Sequence, residues 1–216
     1  MRELGVYAEV RASDSPADQL TNSKGLIISG GPNSVYDADS PRVDPAIFGT
    51  LRPVLGICYG QHLITQLLGG SVIKSDKGEF GLATLTVDQP GRLFANTTSA
   101  QQIWMSHRDV VAALPEGFSI TARTATCPVA AIEDAAHGFY GVQFHPEVVH
   151  TTHGRQLLSN FVFDICGCVK DWDPKHRGPL IEEEIRRTVR DRNVFFFVSG
   201  GVDSTVAYTL CVRALG

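Results

Sequence analysis

With 216 residues, 43% of them hydrophobic and 19% charged, the chain is long enough for one larger α/β domain or for one domain plus part of another, and its composition excludes disorder. A formal net charge of −4 with no basic run leaves no electrostatic footprint for DNA or RNA. No apolar stretch approaches the ~20 residues a membrane-spanning helix requires, and MRELGVYAEV lacks the order of a signal peptide, so a cytoplasmic location is expected.

In chain order, RELGVYAEV reads as the end of a helix followed by a strand. KGLIIS (24–29), ending in Gly30-Gly31-Pro32, and PVLGI (53–57), ending at Cys58, are short apolar runs that predict buried parallel strands. QHLITQLLGG then carries Leu63, Ile64, Leu67 and Leu68 on one helical face and stops at a glycine pair. From Ser71 to Phe144 the pieces ATLTV, QQIWMS, FSITAR, VAAIED and FYGVQF predict antiparallel additions to the sheet. Helical spacing returns over 152–167, where Leu157, Leu158, Phe161, Val162 and Ile165 form the apolar stripe. The stretch 168–179, polar with two prolines and a glycine, predicts a linker (169–178) between a first domain (1–168) and the beginning of a second (179–216). That second part reads as a charged helix (LIEEEIRRTVRDR), an apolar strand (VFFFV), a glycine turn and a final helix.

The cysteines at 58, 127, 166, 168 and 211 are odd in number and scattered, which predicts reduced thiols. Cys166 and Cys168 lack a second pair or a nearby histidine at ligand spacing, so no metal site is expected. Cys58 differs from the others. Gly56-Ile57-Cys58-Tyr59-Gly60 places small residues two positions to either side, as a nucleophile on a tight strand-to-helix turn requires. The following helix N-terminus favours a thiolate. A buried core cysteine is the plainer alternative, and the flanking glycines count against it.

A thiolate nucleophile needs a proton shuttle, and His145-Pro146-Glu147 ends the strand FYGVQF in a suitable way. Residues two apart on a strand share a face, so Glu147 is placed to hold one ring nitrogen of His145 while the other addresses Cys58. A histidine at a strand end is more often structural; a nucleophile in the same chain shifts that balance. Attack on an amide carbonyl also requires oxyanion donors, for which the backbone amides of Tyr59 and Gly31 are the candidates. The alternative for Gly30 and Gly31 is a simple turn before Pro32.

Taken as a set, GICYGQH, SGGPNS and FHPE resemble the class I glutamine amidotransferases across about residues 1–168. The resemblance implies a three-layer α/β fold with a mixed sheet. It also implies that Cys58 attacks the glutamine side-chain amide, that His145 shuttles protons and that Glu147 orients it. That family usually has glutamine four positions after the cysteine, where this chain has His62. His62 is carried over as a glutamine contact with Gly30, Ser106 and His107, the last two from MSHRD, which is similar to the MSHGD segment of GMP synthases. Their alternatives are a helix-face residue for His62 and loop residues for Ser106 and His107.

Ser199-Gly200-Gly201-Val202-Asp203-Ser204-Thr205 lies between VFFFV and a helix, where successive amides form an anion nest. Without the Walker lysine it is no kinase or GTPase loop. SGGVDS resembles the pyrophosphate-binding loop of N-type ATP pyrophosphatases, which implies ATP and magnesium. An amidotransferase domain followed by this loop is the arrangement of the GMP synthase family, and the junction CGCVKDW is similar to that family's. The resemblance implies glutamine, ATP and XMP as small-molecule partners and a homodimer for the full-length enzyme, while charge and hydropathy lead us to expect neither nucleic acid nor membrane as a partner. It also implies a piece of a longer protein, with the family's first strand expected before Arg2 and the XMP site after Gly216. The contrasting reading is an inactive or partner-dependent amidotransferase-like fragment serving as a binding module.

Overall fold

In the computed structural model, the apolar runs flanked by glycine or proline pair as strands. β1 (Leu26–Ile28) and β2 (Val54–Ile57) are followed by α1 (Tyr59–Leu67). β3 (Ser71–Val87), β4 (Ala100–Ala113), β5 (Ser119–Arg123), β6 (Ala131–Asp134) and β7 (Phe139–Val142) occupy the β-rich middle. Helices α2 (Gly154–Ser159), α3 (Arg177–Val189) and α4 (Val202–Leu215) follow. The structure describes every residue except Pro174 and His176, so part of the predicted linker 169–178 lies outside the described residues. The chain divides into two compact units, one of Glu9–Val169 and one combining Met1–Ala8 with Lys170–Gly216.

The larger unit is built on a seven-stranded mixed sheet in the order β1-β2-β7-β6-β5-β3-β4. β1, β2 and β7 run parallel, and the other pairings are antiparallel. β2 and β7 are buried at every position, as strands covered on both faces must be. Strand alternation sorts their side chains: Val54 and Phe139 pack with Ile64 of α1, whereas Tyr140 turns the other way and meets Phe161 edge-on at 6.2 Å. Helix, sheet and helix therefore make the three layers.

The segment expected as one helix over 152–167 is α-helical only in α2 and continues as a π-helix over Asn160–Ile165. The change falls on buried Asn160, whose Nδ2 donates to the carbonyls of Leu93 at 2.8 Å and Ala95 at 2.7 Å. A polar side chain anchored to a neighbouring loop is a physical reason for the altered winding.

Two expected strands do not form. Val6–Val10 is irregular after a 3₁₀ turn at Arg2–Leu4, and there Arg2 donates to the Ala8 carbonyl at 2.8 Å instead of the backbone joining a ladder. Val194–Val198 is likewise no strand, because among the described residues its unit contains no other strand to pair with. Phe195 and Phe197 are consequently 85% and 87% exposed. In the same unit α3 and α4 are held by an Arg213–Glu182 ion pair of 2.9 Å and by Arg186 donating to the Ala214 carbonyl at 2.9 Å.

The junction of β2 with α1 leaves no room for side chains. A Cβ on Gly56 would lie 2.4 Å from the Gly60 carbonyl carbon, and one on Gly60 would lie 2.1 Å from the Ile28 carbonyl oxygen. Both neighbours are backbone and cannot step aside. Gly60→Ala is therefore expected to lower stability by about 2 kcal/mol or more, read as a reduced urea midpoint. Gly49→Ala, with nothing within 4 Å of the added carbon, should shift it by less than about 1 kcal/mol.

Candidate active site

Cys58 sits between β2 and α1 with φ 52° and ψ −106°, outside the allowed regions for a residue with a side chain. Its N–H donates to the Val142 carbonyl at 2.7 Å, so the turn is tied to the end of β7. The chain leaving β7 then carries Gln143, His145 and Glu147 past the thiol. His145 is fixed by its own backbone, with its N–H on the Trp104 carbonyl at 3.0 Å and its carbonyl accepting from Thr151 Oγ1 at 2.6 Å.

His145 Nδ1 lies 2.7 Å from Glu147 Oε1. A carboxylate only accepts, so Nδ1 carries the proton in that bond and Nε2 is left for Cys58. The hydrogen bond with Cys58 first, and that with Glu147 second, push the imidazole pKa up to about 10 against the opposing effect of burial. For Glu147 burial works to raise the pKa, but the hydrogen bond from His145 helps outweigh it, and the carboxyl is held below its ordinary value. Cys58 and its histidine thus form a cysteine–imidazole couple with a carboxylate behind it.

Among the other predicted contacts, a Cβ on Gly30 would lie 3.1 Å from His145 Cε1 and 3.5 Å from Cys58 Cβ, so that backbone lies directly against the couple. Gly31 lies against the Tyr59 ring, at 3.8 Å by the same measure. Tyr59 is the first residue of α1, whose N–H has no partner within the helix. The Ser106 carbonyl stands 3.8 Å from Cys58 Sγ. Ser106 and His107 are not loop residues, since β4 runs through both, and alternation exposes Ser106 while burying His107. His107 is not presented on the face that Ser106 shows: its Nδ1 donates to the Asp109 carbonyl at 2.9 Å.

His62 is also buried, with Nε2 2.6 Å from Gln143 Oε1, and burial holds its pKa below the ordinary histidine value. An amide oxygen only accepts, so His62 donates, which turns Gln143 Nε2 toward Cys58 Sγ at 3.7 Å. Sequence reasoning missed Gln143. The strand expected to run through Phe144 ends at Val142, so 143–147 follow as bend and turn, and no local spacing signals the contact of Gln143 with Cys58.

In the smaller unit, Ser199 to Thr205 lead into and open α4, with Gly201 as the cap residue. Ser204 Oγ and Thr205 Oγ1 both donate to the Gly201 carbonyl, at 3.0 and 2.9 Å. No atom lies within 4 Å of where a Cβ on Gly200 would sit, so the loop has open space beside it, and the Gly201 N–H is turned to Ser199 Oγ at 3.4 Å. For magnesium, which takes one or two carboxylates beside phosphate oxygens, the loop itself offers Asp203. Among the described residues Asp203 belongs to no group of three His, Cys, Asp or Glu side chains that could hold an ion.

The family model described as glutamine amidotransferase class-I matches residues 1–165. A Halalkalibacterium halodurans protein described as a GMP synthase (glutamine-hydrolyzing) is 46% identical over all of this chain and 42% of its own length. A Bacillus cereus GMP synthase (glutamine-hydrolyzing) is 44% identical over all of this chain and 43% of its own length. The chain thus spans less than half the length of these relatives. A solved structure from Thermoplasma acidophilum, of a protein described as one subunit of a GMP synthase, superposes with a TM-score of 0.69 at 32% identity, over 83% of this chain and 87% of that one. Fold, residue pattern and these likenesses together mean that the chain belongs to the class-I glutamine amidotransferases.

Proposed function

We propose that this chain is the glutamine-hydrolysing portion of an enzyme that aminates XMP to GMP at the expense of ATP. The observation that carries the first half is the constellation of Cys58, His145 and Glu147, with Glu147 2.7 Å from the imidazole. The second half is supported by relatives named as glutamine-hydrolysing GMP synthases. The binding-module reading is not favoured, because it would leave the strained cysteine and its buried hydrogen-bonded neighbours without a purpose.

Cys58 Sγ attacks the side-chain amide carbon of glutamine, and the oxyanion is received by the amides of Tyr59 and Gly31. His145 gives a proton to the departing nitrogen, so ammonia leaves and a γ-glutamyl thioester remains on Cys58. His145 then takes a proton from water as it attacks the thioester, releasing glutamate and restoring the thiolate. Glu147 holds the ring in place through both steps. Gly30, Ser106 and Gln143 line the space around the thiol, with His62 positioning Gln143 from behind. Ser199 to Thr205 would hold the pyrophosphate of ATP, which when bound would supply activation of the acceptor, with Asp203 as one candidate ligand for magnesium. The full-length enzyme is a homodimer in this reading, and it works in the cytoplasm. No helix among the described residues is long and apolar enough to cross a membrane.

Cys58→Ala should lower ammonia release from glutamine by at least about 10³-fold in a glutamate dehydrogenase-coupled assay. Turnover retained within tenfold would contradict the assignment. The pH profile tests the second member. Because the protonated imidazole delivers the leaving-group proton, kcat/KM should fall on the alkaline side as His145 deprotonates near its raised pKa of about 10. Glu147→Gln removes an anion that stabilises the imidazolium, so the alkaline limb should move to lower pH. An unmoved limb would show that Glu147 does not hold the catalytic ring.

A further inference from the structure

Away from the thiol of Cys58, three side chains of metal-ligating type converge. Glu79 on β3, His107 on β4 and Cys127 in the turn between β5 and β6 place one ligand atom each within 4.8 Å of one another. Glu79 and His107 are register partners across the β3–β4 ladder, immediately after an irregularity that separates Lys74 from Glu79. That irregularity aims the carboxylate at the histidine. His107 and Cys127 are buried, and the Glu79 side chain is 16% exposed.

The histidine is prepared for a cation. Its Nδ1 donates to the Asp109 carbonyl, so in the neutral ring Nε2 carries a lone pair. The His107 side chain is only 3% exposed, and among the described residues Nε2 has no hydrogen-bond partner; Glu79 Oε2 stands 3.6 Å away. A buried unpartnered ring nitrogen is costly unless something occupies its lone pair. The other two ligands are braced in the same way. Thr124 Oγ1 reaches both Glu79 carboxylate oxygens at 3.1 Å and accepts from the Cys127 N–H at 2.9 Å. A backbone carbonyl behind the histidine and a hydroxyl behind the carboxylate are the outer contacts that orient metal ligands.

We propose that Glu79, His107 and Cys127 form a binding site for a borderline-soft divalent cation, zinc. One oxygen, one nitrogen and one sulfur suit zinc rather than magnesium or calcium, which take oxygen alone. Three protein ligands leave a fourth position for water. With zinc bonds of about 2.0–2.3 Å the ligand atoms need to draw in by roughly 1 Å, which side-chain torsions can supply. Binding releases the Cys127 thiol proton to solvent as the sulfur becomes a thiolate. The ion would clasp β3, β4 and the β5–β6 turn together beside Ser106, whose carbonyl faces Cys58, so its role is structural support of the active-site wall. The site is independent of the glutamine chemistry proposed above.

The chain, stripped with chelator and titrated with zinc by calorimetry, should bind one equivalent. Cys127→Ser and His107→Gln should each weaken binding by at least about tenfold, and the Cys166→Ser, Cys168→Ser double variant should leave it unchanged. Cobalt should give a thiolate charge-transfer absorption that disappears in Cys127→Ser. Should these variants fail to fold, the unsubstituted chain still decides the matter, since one equivalent of cobalt must bring up the thiolate charge-transfer absorption. Binding that survives Cys127→Ser, binding that vanishes with Cys166 and Cys168, no binding at all, or cobalt bound without a thiolate absorption would overturn the site.

Discussion

The structure depends on one tight turn, in which a cysteine with a side chain is forced to φ 52° between two glycines that have no room to be anything else. Such a backbone costs on the order of 1–3 kcal/mol and persists only where the surroundings impose it. They do so from three sides. β2 is locked in parallel register between β1 and β7, α1 packs its first turn against the Ile28 carbonyl, and the Cys58 amide is spent on Val142. The strain has a use, since it lifts the thiol to the N-terminal end of α1, where a developing negative charge is favoured.

Everything else at the site is reached from that turn by backbone connections. The bond from Cys58 to Val142 lies at the end of β7, and the bend and turn of the next five residues bring Gln143, His145 and Glu147 to the site. β4 closes the arrangement from the other side, with the Trp104 carbonyl holding the His145 amide and the Ser106 carbonyl facing the thiol. Behind these lies a buried relay, His62 to Gln143 to Cys58, whose donor directions follow from which atoms can only accept. The Glu79–His107–Cys127 cluster reaches the same strand β4 through His107, one residue beyond Ser106.

The parts of this arrangement legible in the sequence were those governed by local geometry. Glycines at 56 and 60 announce the tight turn because the close approach they permit is a contact between near neighbours. The pairing of His145 with Glu147 was expected from strand alternation, but β7 ends at Val142 and it is the turn through Pro146 and Glu147 that brings the carboxylate back to the ring. What stayed hidden depended on partners distant in sequence. Nothing local tells VFFFV that its unit lacks a second strand, or that residues 6–10 would find no ladder. The π-helical turn at Asn160 follows from carbonyls more than sixty residues away. His62 reads as a substrate contact from its place after the cysteine, yet the fold buries it against Gln143. The Glu79–His107–Cys127 cluster has no ligand spacing along the chain and exists only once β3, β4 and the β5–β6 turn are assembled.

The central claim is that the strained turn makes Cys58, alone among five cysteines, a nucleophile for the glutamine side chain. A diazoketone analogue of glutamine, reacted with the folded chain and mapped by peptide mass spectrometry, addresses it directly. A single adduct on Cys58, suppressed by excess glutamine and lost on denaturation, is the predicted result. Labelling that falls on Cys127, Cys166, Cys168 or Cys211 instead, or labelling of Cys58 that is indifferent to glutamine and to folding, would contradict it.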